Sequence, residues 1–222
     1  MHYVKYEVKN NIPHFNCSFC GKCLGFLEAT SYLTIKSRGC CWYFPKYKLI
    51  DIKNILDIGR EDFIYEIYNL PYTKIEKYFI EILGFFDEEK YNKSKMNNNE
   101  FDSKLFFRLC PFFEKSGCKL YFALKPHPCN LYLCRGVIDA CGEDYEKYNR
   151  ERKDYFAYCN YYNDLMQKEF ETRKISLMKD FDKSIEFLKM MQIPKFDFRK
   201  LEVLRFNIDL ISIVSSDIVV AG

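Results

Sequence analysis

The feature that most constrains this chain is a run of three cysteines, Cys17, Cys20 and Cys23, each separated from the next by two residues. A two-residue gap lets the chain turn back on itself, so that three thiols can surround one small inorganic centre. Gly21 assists this turn because it has no Cβ and lets the backbone approach closely. The spacing therefore predicts a metal centre held by thiolates.

Cysteines far downstream complete the predicted ligand set. Cys110 is followed by a proline, as is the fourth cysteine in the iron–sulfur run of bacterial ferredoxins. The chain has eleven cysteines, and their clustering is not explained by burial of small apolar side chains alone. That simpler interpretation suits Cys159, which lies in a helical stretch, and Cys141. The predicted metal ligands are Cys17, Cys20, Cys23, Cys41, Cys110, Cys118, Cys129 and Cys134.

Iron–sulfur clusters and zinc are both suited to thiolate ligands. A structural zinc site usually shows two C-x2-C pairs or histidine ligands, whereas this chain has one cysteine triplet and only three histidines. The triplet with a distal Cys-Pro favours a 4Fe–4S cluster, and zinc is the alternative. His127, which lies between two prolines, is either a further ligand or a residue that caps a turn.

Composition limits the partners of the chain. Its 222 residues, 48% of them hydrophobic, are enough for one large domain with a buried core. A formal net charge of +3 is too small to favour a nucleic acid or an anionic membrane surface as a partner. No apolar run approaches the length of a membrane span, and the sequence after Met1 lacks the apolar core of a signal peptide. We therefore expect a cytoplasmic protein, in which clustered cysteines bind metal rather than form disulfides.

The residue pattern predicts a mainly α fold with cysteine-rich metal-binding loops. Residues 1–45 show no regular period. From Leu49 to Phe86 apolar residues recur at helical spacing, which predicts about three helices. The polar stretch Tyr91–Glu100 is typical of an exposed loop.

The second half of the chain predicts one short strand, a long helix and a tail. Residues 119–124 have strand character, and a helical pattern extends from Glu143 to Met191. Alternating apolar residues after residue 201 predict another strand. These patterns divide the chain into a metal-binding domain, 1–195, and a C-terminal tail or docking strand, 196–222. Four tyrosines of the long helix either pack in the core or line a substrate groove; they are Tyr155, Tyr158, Tyr161 and Tyr162.

The cysteine blocks, within residues 14–135, resemble the YkgJ-like cysteine-cluster family, often labelled a zinc- or iron-chelating domain. The chain departs from that family at Leu24, where the family has an adjacent fourth cysteine, and at Lys125 and Asn130, where it has arginines. The Cys40-Cys41 pair is a candidate replacement for the missing cysteine. The matching segments are Cys17, Cys20, Gly21 and Cys23, then Cys110-Pro111-Phe112-Phe113, Cys118-Lys119-Leu120-Tyr121 and Pro126-His127-Pro128-Cys129.

The resemblance implies an iron–sulfur or zinc protein with a protein or peptide partner. The flagellin lysine methylases, remote relatives in that family, resemble iron–sulfur proteins that transfer a methyl group from S-adenosylmethionine. One alternative is a binding protein in which zinc only staples loops. Another is a maturation protein with a precursor-like tail, because Lys200–Phe206 and Asp217–Val219 resemble the precursors of ribosomal peptide natural products. An ordinary C-terminal strand explains the same tail.

Overall fold

The computed structural model describes residues 1–22, 44–94, 103–114 and 117–207. Helices hold 49% of these residues and strands 20%. The described part of the chain is therefore rich in helix, as expected, but it also forms four small antiparallel sheets. None of the helices in these ranges is both long enough and apolar enough to span a membrane.

The helices of the described residues differ widely in length. One of them is 28 residues long, whereas another is a single turn. Short 3₁₀ turns cover Ser103–Phe107, Phe122–Leu124 and Gly142–Tyr145. The helices are α1 (Leu49–Asp57), α2 (Glu61–Asn69), α3 (Glu88–Ser94), α4 (His127–Asn130), α5 (Arg135–Cys141), α6 (Glu146–Arg173) and α7 (Phe181–Met190).

The strands are short and pair into sheets of two or three. The sheet orders are β10-β1-β2, β3-β5-β4, β6-β7 and β8-β9. The strands are β1 (His2–Lys9), β2 (Ile12–Cys17), β3 (Lys46–Lys48), β4 (Thr73–Ile75), β5 (Phe79–Ile82), β6 (Phe85–Phe86), β7 (Arg108–Leu109), β8 (Phe113–Glu114), β9 (Gly117–Cys118) and β10 (Leu204–Phe206).

The N-terminal segment is a β-hairpin, so the expectation of irregular structure was wrong for residues 2–17. β1 and β2 pair antiparallel from Val4 opposite Cys17 to Lys9 opposite Ile12. Asn10 and Asn11 form the turn with φ of 55° and 60°, the left-handed region that asparagine tolerates and that two-residue hairpins need. This Asn-Asn turn was the sequence signal of the hairpin.

The third helix expected between Leu49 and Phe86 is also absent. α1 and α2 follow the expected pattern, but the chain then forms strands β4 and β5. Ile80 and Ile82 are buried, and β5 is hydrogen-bonded to β3 on one side and β4 on the other. The spacing of Ile75, Phe79 and Ile82 fits a helix, whereas Ile80 and Ile82 alternate as in a strand. Pairing with β3 and β4 decides between the two patterns.

Three further expectations need smaller corrections. The expectation of a strand at 119–124 was wrong, because β9 ends at Cys118 and Phe122–Leu124 is a 3₁₀ turn. The helix expected from Glu143 to Met191 is two helices, because α6 ends at Arg173 and the next residue, Lys174, has a left-handed φ of 56°. Helix α3 occupies the start of the stretch expected as a loop, and residues 95–100 lie outside the described residues.

The main core forms where α1 contacts both α6 and α7. The apolar side chains of α1, including Leu49, Ile52 and Ile55, are almost fully buried. The buried face of α6 uses positions separated by four and seven residues, which is the helical period. These positions are Tyr148, Tyr155, Cys159, Met166 and Phe170. The buried position of Cys159 agrees with its predicted structural role.

Candidate functional site

The structure describes six of the eight predicted thiol ligands. Cys23 and Cys41, together with Cys40, lie outside the described residues. The six described cysteines come from widely separated parts of the sequence. The fold distributes them between two neighbouring regions.

The first region is a cleft lined by Cys110, Cys118 and Cys129, which we call the Cys110 cleft. Cys110 follows β7 directly, Cys118 is the last residue of β9, and Cys129 lies in the single turn of α4. The pairing of β8 with β9 and the turn of α4 therefore bring together three thiols that are well separated in sequence. The remaining lining residues are Pro45, Leu120, Lys125 and Pro126.

The N-terminal triplet reaches the same part of the molecule through Cys20. A Cβ atom placed on Gly117 would lie 3.1 Å from Cys20 Sγ, and Gly117 has a φ of 125°. Both the contact and the backbone conformation favour glycine at this position. Cys20 is thus packed against the residue that precedes Cys118 in β9.

The second region surrounds Cys17, and we call Cys17, Cys134 and Cys141 the Cys17 group. Burial raises the pKa of the Cys17 thiol to about 11, with smaller contributions from Cys134, Cys20 and Cys141. Cys134 precedes α5 and Cys141 is its last residue, so the two are seven positions apart and face the same side of the helix. Cys141 is buried in the core, which agrees with its interpretation from the sequence as a small apolar side chain.

Within residues 1–22, 44–94, 103–114 and 117–207, no three or more histidine, cysteine, aspartate and glutamate side chains lie close enough to hold a metal ion. The Cys110 cleft is therefore a convergence of thiols rather than a closed ligand sphere. Pro45, which lines this cleft, follows Cys41 by four positions in the sequence.

A buried tyrosine links the Cys110 cleft to a second polar cluster. Tyr47 is fully buried and its hydroxyl donates a hydrogen bond to the Leu124 carbonyl oxygen at 3.1 Å. Burial raises the pKa of Tyr47 well above its ordinary value, and the nearby Cys129 and Asp51 add to the shift. Tyr47 is therefore within electrostatic range of both the thiols and Asp51.

Asp51 and His127 form a buried pair at 3% and 4% exposure. Asp51 Oδ1 accepts the His127 backbone N–H at 2.8 Å and lies 2.9 Å from His127 Nδ1. Asp51 Oδ2 accepts the Lys48 N–H at 3.1 Å, which caps the start of α1. The sequence left His127 as either a metal ligand or a residue that caps a turn. In the structure His127 is the first residue of α4 and its ring contacts the Asp51 carboxylate.

The tyrosines of α6 divide between core and surface. Tyr155 is buried, Tyr158 is partly buried and donates to the Pro194 carbonyl oxygen at 2.7 Å, and Tyr161 is 60% exposed. Tyr158 and Tyr162 are in ring contact at 4.7 Å between centroids. Burial, above other causes, raises the pKa of the neighbouring Cys159 thiol. Tyr155 and Tyr158 therefore pack in the core, and both also line a cleft together with Phe196.

No protein-family model, curated protein or solved structure matches this chain. Its chemistry is therefore inferred from its own residues. The Cys110 cleft, the Cys17 group and the Asp51–His127 pair are places where the described residues concentrate reactive or coordinating groups.

Proposed function

We propose that this chain is a cysteine-cluster protein that binds an iron–sulfur centre through thiolates. The observation that carries the proposal is the convergence of Cys110, Cys118 and Cys129 on one cleft, with Cys20 against the adjoining Gly117. Cys110, Cys118 and Cys129 come from distant segments of the sequence, and the proposal accounts for their common position in the lining of this cleft. Cys23 and Cys41, outside the described residues, are the proposed source of the remaining ligands.

The surroundings of the cleft suit an iron–sulfur cluster. Pro45, Leu120 and Pro126 provide apolar walls, which limit access of water to the metal and its sulfides. Lys125 also lines the cleft, and its ammonium group would offset the negative charge of a thiolate-ligated cluster. Zinc, which takes four thiolate or imidazole ligands and no sulfide, is the alternative metal.

The Cys17 group supports a second thiolate centre or an extension of the first. Cys17 belongs to the triplet and Cys134 to the predicted ligand set, and the fold adds Cys141. Because burial keeps the pKa of Cys17 near 11, metal binding there has to release a proton at neutral pH. Ligation at Cys17 is consequently expected to strengthen as pH rises.

The resemblance at the cysteine blocks extends this proposal to modification of a protein or peptide in the cytoplasm, with methyl transfer from S-adenosylmethionine as one reaction. The second candidate function is a binding protein in which the metal is a staple without catalysis. The shortness of β7, β8, β9 and α4 favours it, because such elements have little stability of their own. Turnover of a peptide substrate would distinguish the two.

Anaerobic purification followed by analysis of iron, zinc and acid-labile sulfide tests the metal proposal. We expect iron and sulfide in similar amounts, together with a broad visible absorption. Cys118→Ser and Cys129→Ser should each remove at least about half of the metal, because each loses one ligand. Cys159→Ser is the matched control and should retain it. Equal metal content in all four proteins would contradict the proposal.

A further inference from the structure

We propose that the cleft leading to the Asp51–His127 pair is a separate binding site for a small single-ring alcohol of the phenol type. The hydroxyl of the ligand would lie between His127 and Asn130, and its ring would lie against Tyr155. This site uses none of the predicted thiol ligands and goes beyond the proposed metal function.

The inner end of the site has a histidine with a fixed ring orientation. A carboxylate accepts hydrogen bonds, so the contact of Asp51 Oδ1 with His127 Nδ1 at 2.9 Å places the ring proton on Nδ1. In the neutral imidazole the other ring nitrogen, Nε2, is then an acceptor. The His127 ring packs edge-on against Phe156 at 4.8 Å between centroids, which further limits its rotation. His127 therefore offers a hydrogen-bond acceptor in a fixed direction.

Asn130 supplies a second acceptor at the same inner end. It is 1% exposed, and its Nδ2 donates to the Lys125 carbonyl oxygen at 3.4 Å. Its Oδ1 is buried and has no hydrogen-bond partner among the described residues. A buried acceptor without a partner costs free energy, which a ligand donor would recover. His127 and Asn130 both line a cavity of about 10 Å³, which has room for one hydroxyl or one water.

A larger cleft of about 110 Å³ adjoins this inner end and shares Asn54 and Tyr155 with it. A dry cavity of roughly 150 Å³ in another protein holds one benzene ring, so this cleft has room for no more than a single ring. Tyr155, Tyr158 and Phe196 form aromatic walls, and their rings contact one another at 5.2 to 5.7 Å. Asn10 and Asn11 of the hairpin turn line another side of this cleft.

The charges around the site favour a neutral hydroxyl over an ammonium group. Lys125 and Asp51 both line the inner cavity, and the Asp51 carboxylate already contacts His127 and accepts the Lys48 backbone N–H. Asp57 and Lys195 both line the outer cleft, and Asp57 is paired with Lys53. Each part of the site therefore carries charges of both signs, and the two acceptors select a neutral donor. An aromatic alcohol satisfies both the acceptors and the aromatic walls.

Binding of 4-fluorophenol and 4-fluorotoluene to the full-length, metal-loaded protein tests this site by ¹⁹F NMR. The two probes have nearly the same shape, but only the phenol can donate a hydrogen bond. We expect saturable binding of the phenol, at least about tenfold tighter than binding of the toluene, because one buried hydrogen bond is gained. Equal affinities, or no binding of either probe, would overturn the proposal without any substitution.

Substitutions locate the interaction. Asn130→Leu removes the unpartnered acceptor at similar size, and His127→Gln removes the ring nitrogen; each should lower the preference for the phenol to within about threefold. Asn92→Leu, on exposed α3, is the matched control and should bind like the parent protein. Unchanged preference in a folded Asn130→Leu protein would overturn the proposal. So would a crystal soaked with phenol that retains only a water between His127 and Asn130.

Discussion

The helical core and the cysteine-bearing segments are built from elements of very different length. Helix α6 has 28 residues and buries a regular apolar face against α1 and its neighbours. The segments that hold Cys110, Cys118 and Cys129 consist of two-residue strands and one helical turn. Elements this short cannot maintain their conformation by backbone hydrogen bonding alone. Cys110 and Phe112 belong to the same buried core as α6, so burial contributes to both regions. We expect the proposed metal centre to add stability to the cysteine-bearing segments alone.

Removal of the metal is the strongest test of this comparison. The cysteine-bearing segments between residues 103 and 134 should become accessible to protease and to hydrogen exchange, whereas α6 should remain protected. We expect the free energy of local opening to fall by several kcal/mol, on the order of 5 kcal/mol, because metal binding is coupled to local folding. Hydrogen exchange with mass spectrometry measures both regions in one sample. Equal loss of protection in both would show a single cooperative unit.

The core should in turn depend on a buried carboxylate. Glu151 is fully buried; its carboxylate accepts from the Tyr6 hydroxyl at 2.8 Å and from Arg199 Nη1 at 2.7 Å. Glu151→Ala leaves these donors without their acceptor, and we expect a loss of about 3 kcal/mol in the free energy of unfolding. Denaturant unfolding measures this loss.

Asp154→Ala is the control for Glu151, because Asp154 contacts the same Arg199 but is partly exposed to solvent. We expect a much smaller loss of stability for it. Metal content should be unchanged in both variants. If Glu151→Ala released the metal, the two regions would not be independent.

Stability should also fall at alkaline pH through Cys159. Burial raises the pKa of its thiol in the folded protein above the unfolded value of about 8.5. The folded state therefore favours the protonated thiol, so the contribution to stability is complete below pH 8.5 and is lost as pH rises above it. Between pH 8 and pH 10 the loss is about 2 kcal/mol by linkage. Cys159→Ala should remove this part of the pH dependence, and parallel curves for the two proteins would contradict it.

The smallest expected effect is that of Cys159→Ala at neutral pH. The side chain is fully buried in the face of α6, and its removal leaves a small cavity. We expect a loss of about 1 kcal/mol, within the usual range for core substitutions. Thermal unfolding and metal analysis of the same preparation check it. Loss of metal would place Cys159 among the ligands and would remove the distinction between the two regions.

The sequence pattern predicted much of the helical half of this molecule. The apolar periods of α1, α2 and α6 were readable because a helix satisfies its hydrogen bonds within its own segment. The strands were harder to predict, since β5 exists only because β3 and β4 pair with it. In the tail, the alternation of Leu204 and Phe206 predicted a strand, and both residues lie in β10, which pairs with β1. Residues 208–222 lie outside the described residues.

The sequence by itself determined which residues can act: a cysteine triplet with distal thiols, few histidines and a long amphipathic helix. Only the tertiary structure decided which of them meet. It placed Cys110, Cys118 and Cys129 on one cleft, brought Cys141 near Cys17, and joined Asp51 to His127 across 76 positions of sequence. The physical reason is that periodicity reports local hydrogen bonding and one-sided burial, whereas ligand sets and buried polar pairs depend on contacts between distant segments.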